Sequence, residues 1–446
     1  MKSLILLILT SLFIVTVSFS QSGRFEHITV YSQSLEGNLL GDSPTRSVSV
    51  YLPWQYDSIP GSRFSVVYLL HGYTFTNLSF ISNFNLKANF DSFFNQNGIQ
   101  PMIIVIPNNH NFYQGSWYTN SPITGGWEDF VTQDLVEYID NNYRTSAFRE
   151  GRGISGHSMG GYGAMMLAMK HPEIYSAVYS LSAAFLVLED VVLGTMFFGL
   201  NQAACTNDSI QFSGLPWEAR VMIAAGAAFS PNANPHPFYC DLPADCGGNI
   251  IDSTWQKWLE HDPYSLIDTY KNNLLQYVGR RIRFDCGWYD TYLYDANCEF
   301  DTALSENNIP HDFFDYDGDH MNKIPERIRL SVLPFFSQKL VDVESENNNI
   351  PDDYSLHQNY PNPFNPSTKM KYSIPQTSNV VIKVFDVLGS EIETLVNEEK
   401  PFGTYELKWY AENLPSGVYF YRLQAGSYST GSGQVFVETK KMLLIK

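Results

Sequence analysis

Short apolar runs alternate with stretches of helical period over the first three quarters of the chain. Phe64-Ser65-Val66-Val67-Tyr68-Leu69-Leu70 is apolar at nearly every position, which predicts a strand buried on both faces. Gly153-Ile154-Ser155 predicts a second strand, followed by a helical run over 162–170. Residues 131–142 and 324–340 read as helices, and 281–287 and 311–316 as strands. Apolar strands alternating with helices predict an α/β fold, a mostly parallel sheet flanked by helices.

The pattern changes near residue 343. Residues 344–353 are polar and charged and read as a linker. Short β-rich runs follow at 369–374, 380–386, 405–410, 417–424 and 434–445, punctuated by turns such as Leu388-Gly389 and Pro415-Ser416-Gly417. Strands at this spacing without helices predict a small antiparallel β-sandwich. At the other end, Met1-Lys2 precedes an apolar core from Leu4 to Val17 and a small-x-small site, Ser18-Phe19-Ser20. That is the pattern of a cleaved signal peptide rather than a membrane anchor. The expected organisation is a signal peptide at 1–20, an α/β domain at 21–342, a linker at 343–355 and a β-sandwich at 356–446.

Composition narrows the partners. The chain has 446 residues, 44% hydrophobic and 15% aromatic, and a net charge of −18. Such an acidic chain binds nucleic acid poorly and suits neutral or apolar substrates. No later segment approaches a membrane span, so no transmembrane segment is expected in the mature protein. Five cysteines, Cys205, Cys240, Cys246, Cys286 and Cys298, follow the signal. In an exported chain disulfides are allowed, and an odd number leaves at least one thiol unpaired. Cys240 with Cys246, and Cys286 with Cys298, are the short-loop candidates. No Cys/His spacing suggests a metal site and no Gly-rich phosphate loop appears, so no cofactor and no metal are expected.

The chemistry is carried by Gly156-His157-Ser158-Met159-Gly160-Gly161, between a predicted strand and a predicted helix. In that setting G-x-S-x-G forms a nucleophile elbow, with the serine hydroxyl at the apex of a strained turn. The Met159 amide, at the helix N-terminus, becomes an oxyanion donor. The strand at 64–70 leads into His71-Gly72-Tyr73-Thr74, a loop that supplies a second donor at Tyr73. An acid and then a histidine should follow in chain order. Asp290 lies past the strand ending at Gly287, and His320 lies in Asp317-Gly318-Asp319-His320, past the strand at 311–316. Open α/β sheets place their chemistry at such strand ends. Asp285 and Asp295 compete for the role of acid, one inside the strand and one further out. Among the other histidines, His157 points away from its own neighbour, His71 shapes the oxyanion loop, His171 ends a helix and His311 opens a strand.

Residues from about 24 to 340 resemble the esterase D / feruloyl esterase group of α/β-hydrolases. That group includes carbohydrate esterase family 1 and the S-formylglutathione hydrolases, with the mycolyltransferases as relatives. The matching stretches are Ser47-Val48-Ser49-Val50-Tyr51-Leu52-Pro53, Val67-Tyr68-Leu69-Leu70-His71-Gly72, the elbow, Gly287-Trp288-Tyr289-Asp290 and Gly318-Asp319-His320. Trp127-Glu128-Asp129-Phe130 is also similar to this group. The resemblance implies an α/β-hydrolase fold with Ser158 as nucleophile, Asp290 as acid, His320 as base, and oxyanion donors at Met159 and Tyr73. Feruloyl or acetyl esters of plant polysaccharides are then the expected substrates, with Trp117, Trp127, Trp288 and Tyr289 as candidate substrate contacts. A short-chain acyl or lipid esterase, an acyltransferase of the same fold, and a non-catalytic surface adhesin are the alternatives. The stretch between Ser182 and Asp262 varies in this group, and 185–258 within it reads as a lid.

The tail resembles a type IX secretion C-terminal sorting domain. The carriers are Tyr360-Pro361-Asn362-Pro363-Phe364-Asn365-Pro366, Leu414-Pro415-Ser416-Gly417-Val418-Tyr419-Phe420-Tyr421 and the terminal Lys440-Lys441-Met442-Leu443-Leu444-Ile445-Lys446. That resemblance implies type IX machinery as a partner. It also implies export through the periplasm of a Gram-negative bacterium to the cell surface or beyond.

Overall fold

The computed structural model describes residues 21–96, 98–206, 211–234, 238–340, 354–375, 378–400, 403–426 and 436–446. The expected signal peptide (1–20) and residues 343–353 of the expected linker lie outside the described residues. The chain divides into two compact units, Met1–Asp342 and Val343–Lys446.

The first unit is built on one eight-stranded sheet. Its strands are β1 (Arg24–Tyr31), β2 (Thr45–Leu52), β3 (Ser65–Leu70), β4 (Met102–Pro107), β5 (Arg152–His157), β6 (Ala177–Leu181), β7 (Ile282–Gly287) and β8 (His311–Tyr316). Their order is β1-β2-β4-β3-β5-β6-β7-β8. The β1–β2 and β2–β4 pairs are antiparallel and the remaining pairs parallel. Every residue of β3, β4, β5 and β6 is buried, because helices cover both faces of the sheet. Alternate residues feed two cores. Val66, Tyr68 and Leu70 face the core that holds the helix Met159–Lys170. Val67 and Leu69 face Phe90, Phe94, Phe335 and Phe336 on the other side.

Strand order makes the crevice. The chain leaves β3 for β4 on one side and returns to β5 on the other. The loops after β3 and β5 therefore diverge at the topological switch point, where doubly wound sheets bind ligands.

A buried polar cluster fastens the far half of this edge. Arg327, in the short helix Ile324–Arg327, forms an ion pair with Asp285 of β7, and both side chains are almost fully buried. Arg327 also donates to Ser182 Oγ at 3.1 Å and to Tyr316 Oη at 2.6 Å. Tyr179 Oη donates to Asp285 at 3.0 Å, and Tyr316 Oη donates to the Asp319 carbonyl at 3.0 Å. Asp285 is thus fully engaged in structure, and the network reaches the residue before His320.

The second unit is an antiparallel sandwich. One sheet holds β9 (Ser355–Leu356), β10 (Ser367–Ile374) and β13 (Gly403–Tyr410). The other has the order β12-β11-β14-β15, with β11 (Ser378–Phe385), β12 (Glu391–Lys400), β14 (Gly417–Gly426) and β15 (Phe436–Leu444). Met370, Tyr372, Val380, Ile382, Val384, Trp409, Tyr421 and Leu423 form its core. The opening and closing motifs meet, since Phe364 N donates to the Leu443 carbonyl and Ile445 N to the Phe364 carbonyl, both at 3.0 Å. Strand β12 was not expected from the sequence. It is an edge strand, and its run of glutamates hides the β pattern while discouraging edge-to-edge pairing.

Removing one partner of a buried ion pair strands the other in a low-dielectric interior. Arg327→Met should cost about 3–5 kcal/mol of stability, read as the shift in urea-unfolding free energy of the first unit. A loss under 1 kcal/mol would mean that Asp285 is not confined as described.

Candidate active site

The elbow forms because two glycines permit contacts that a side chain would block. A Cβ on Gly156 would meet the Gly160 carbonyl, and one on Gly160 would meet the Leu70 carbonyl of β3. Ser158 between them takes φ 59° and ψ −116°, a strained backbone for a residue with a side chain. The turn is pinned by Ser158 N to Leu181 O at 2.9 Å and by Tyr162 N and Ala184 N to Ser158 O at 2.9 and 3.1 Å. The helix begins at Met159, three residues earlier than its apolar period indicates.

Asp290 sits in the turn after β7, its amide bonded to the Gly287 carbonyl at 3.0 Å. His320 sits in the turn after β8, where the Asp319 carboxylate accepts from Met321 N and Asn322 N. Trp288 N to Tyr316 O and Tyr289 N to Gly318 O, both 2.9 Å, clamp these two loops together. The result is a chain of contacts. His320 Nδ1 lies 2.7 Å from Asp290 Oδ2, and His320 Nε2 lies 2.9 Å from Ser158 Oγ. Asp290 is 2% exposed. A carboxylate accepts, so Nδ1 carries the proton and Nε2 offers its lone pair to the serine hydroxyl.

The oxyanion loop is held from several sides. His71 is buried; its Nδ1 donates to the Gly72 carbonyl and its Nε2 accepts from Asn109 N, both at 2.9 Å. Tyr118 Oη donates to the His71 carbonyl at 2.7 Å, and Thr74 N to the Gln114 carbonyl at 3.0 Å. Neither the Tyr73 nor the Met159 amide has an acceptor among the described residues.

His157 is more than a bystander. It is buried, its Nε2–H donates to the His320 carbonyl at 2.9 Å, and the two rings lie 4.8 Å apart. Burial drives its pKa well below the usual histidine range, and His320 and Arg327 push the same way. Nothing in the sequence signals this contact, because it joins residues 163 apart.

Beside Ser158 lies an apolar cavity of about 390 Å³, lined by Trp117, Phe185, Met196, Trp217, Val221 and Leu293 among others. Trp117 stacks on Phe185 at 4.3 Å. Trp117 is the one expected aromatic contact that reaches this cavity. Trp127 lies instead in the core, fully buried, with Nε1 bonded to the Thr124 carbonyl at 2.7 Å and the Arg46 guanidinium over its ring. Tyr289 is 63% exposed and outside the cavity, and Trp288 faces an adjoining groove. Four of the missed lining residues, Phe185, Met196, Trp217 and Val221, come from the stretch 185–258. Its apolar Met196 was a visible signal, whereas the alanine-rich run at 224–228 packs into the core.

The disulfide joins Cys205 to Cys246, not either short-loop pair. Cys240 is buried against Gly226, and Cys286 points from β7 toward Asp290, with Sγ 3.8 Å from its carboxylate. Cys298 sits on the separate helix Tyr294–Glu306. Proximity in sequence was overridden by the direction in which each side chain leaves its element.

A serine at a strand–helix elbow on a mostly parallel sheet, with an acid and a histidine on later strand ends, defines the α/β-hydrolase class. Residues 43–321 match the esterase family model described as "Putative esterase", and the chain belongs to that family. Residues 358–438 match the secretion system C-terminal sorting domain. The chain is 25% identical over 297 residues to Esterase MT1326 of Mycobacterium tuberculosis, covering 64% of this chain and 54% of that one. It thus spans about half the length of this curated relative. Over 176 residues it is 24% identical to an endo-1,4-beta-xylanase/feruloyl esterase of Xylanibacter ruminicola, covering 38% and 23% of the two chains. Among solved structures, a ferulic acid esterase superposes with TM-score 0.49 at 21% identity, covering 72% of this chain and 99% of that one.

Burial also sets how the site tolerates acid. It pushes His71 and His261 down to about 4 from the ordinary 6.5. Between those values the unfolded chain takes up protons that the folded chain refuses. Stability is therefore full above pH 6.5 and falls as pH drops toward 4, by about 3 kcal/mol for His71 alone. Urea midpoints measured from pH 7 to 4.5 should decline, and less steeply in His261→Phe. A flat profile would contradict neutral burial.

Proposed function

We propose that this chain is an exported serine carboxylic ester hydrolase acting through Ser158, His320 and Asp290. One observation carries the proposal: a single imidazole lies within 2.7 Å of a buried carboxylate and 2.9 Å of a hydroxyl on a strained elbow.

In the first step His320 Nε2 takes the Ser158 proton as Oγ attacks the ester carbonyl. Asp290 holds the ring in the required tautomer and stabilises the imidazolium. The Tyr73 and Met159 amides donate hydrogen bonds to the developing oxyanion. His320 then gives its proton to the departing alcohol, leaving an acyl-Ser158 ester. Water, deprotonated by His320, attacks that ester, and as the acid departs His320 returns the proton to Ser158 Oγ.

The apolar, aromatic-lined cavity supports an acyl group that is phenolic or short. The similarity to a xylanase/feruloyl esterase supports feruloyl or acetyl esters of plant polysaccharides as the substrates. The sorting-domain match supports delivery by type IX machinery, through the periplasm of a Gram-negative bacterium, to the surface or medium.

Hydrolysis of p-nitrophenyl acetate, butyrate and octanoate, methyl ferulate and acetylated xylan by the full chain tests this, beside Ser158→Ala. The alanine variant should lose on the order of 10⁴ to 10⁶ in kcat, with ferulate or acetyl-xylan leading the wild-type rates. Octanoate in the lead would move the substrate to lipids. An alanine variant as active as the wild type would remove Ser158 from the chemistry.

A further inference from the structure

Since His320 protonates the departing alcohol, the alcohol half of the ester lies on the imidazole side of the site. A groove of about 800 Å³ adjoins the cavity there, and Asp290 and Tyr292 line both spaces. Trp288 is its largest aromatic surface and is 50% exposed. The clamp between the β7 and β8 loops fixes the Trp288 backbone. The facing wall is the segment Glu189–Thr195, tied across by Thr195 Oγ1 donating to the Tyr292 carbonyl at 3.0 Å.

The polar lining is one-sided. The Glu189 and Asp295 side chains have no hydrogen bond or ion pair among the described residues, and no basic side chain lines the groove. At the inner end Asp290 is buried and its Oδ1 has no partner among the described residues.

We propose that this groove is the leaving-group subsite and takes a neutral sugar ring, with Trp288 as the stacking platform. The proposal rests on the ester-hydrolase function above and names the alcohol half of its substrate. An indole face covers the C–H face of a pyranose or furanose while nearby carboxylates accept its hydroxyls. The same carboxylates, lacking a counter-cation, disfavour a uronate. Selectivity thus comes from a repulsive element as well as an attractive one.

The test compares one acyl group on two alcohols: feruloyl-arabinose against methyl ferulate, and acetylated xylo-oligosaccharide against p-nitrophenyl acetate. Trp288→Ala in the full chain should lower kcat/KM for the sugar esters about tenfold more than for the simple esters, with the difference in KM. Trp288→Phe should recover part of it. Equal losses on both alcohols would overturn the subsite. Binding is read separately by titrating Ser158→Ala protein with unacylated neutral xylo-oligosaccharide. Tryptophan fluorescence should change, and the change should vanish when Trp288→Ala is added. No change in the parent would overturn the subsite, whereas a clear change without any Ser158-dependent hydrolysis would overturn the hydrolase function instead. Glu189→Gln with Asp295→Asn should raise turnover of acylated glucuronate relative to acylated xylose several-fold. An unmoved ratio would remove the carboxylates from selectivity.

Discussion

The close approach of Gly156, Gly160 and the Leu70 carbonyl is the contact on which the site depends. It lets a helix start directly at the end of a central strand, which forces Ser158 into positive φ. That strain costs on the order of 1–3 kcal/mol. It persists because the helix behind it is buried from Met159 to Met169. Burying even one large apolar side chain there contributes about 1.5–3 kcal/mol, so several outweigh the strain. A bulkier elbow would separate helix from sheet before it relaxed the serine.

Asp290 and His320 depend on the same sheet edge by a different route. Their strands pair in register, Gly287 beside Tyr316, so that their loops emerge side by side. Two backbone hydrogen bonds clamp the loops, and the Asp285–Arg327–Tyr316 network anchors them from below. His157 closes the arrangement by holding the His320 carbonyl from inside the elbow itself. Ser158 and His320 are thus held by neighbouring residues of one segment, which limits how far they can drift apart.

This explains what the sequence makes legible. Ser158, Asp290 and His320 each follow a recognisable strand end, so local signals suffice to bring the three residues into view. The β-sandwich is legible from turn spacing, except for the edge strand Glu391–Lys400, whose charges mask its period. The acyl-side contacts are not legible. Trp127 and Trp117 read alike in sequence, yet one fills the core and the other faces the cavity. That choice is made by long-range packing against Phe185 and Arg46. The Cys205–Cys246 bridge likewise depends on where the variable stretch folds back, and no spacing rule contains that.

Electrostatics around His320 adds a further constraint. Three other buried or nearby histidines, His71, His157 and His261, are all driven toward neutrality by burial. His320 keeps a partly open side chain 2.7 Å from the Asp290 carboxylate. The distinction matters most for His157, whose ring is 4.8 Å from that of His320. Two cations at that distance would repel by about 3 kcal/mol at an effective dielectric near 20, roughly a hundredfold in rate. Under the proposed mechanism a neutral His157 spares the His320 imidazolium that penalty. The single Nε2 proton of His157, committed to the His320 carbonyl, keeps to that neutral form while holding His320 in place.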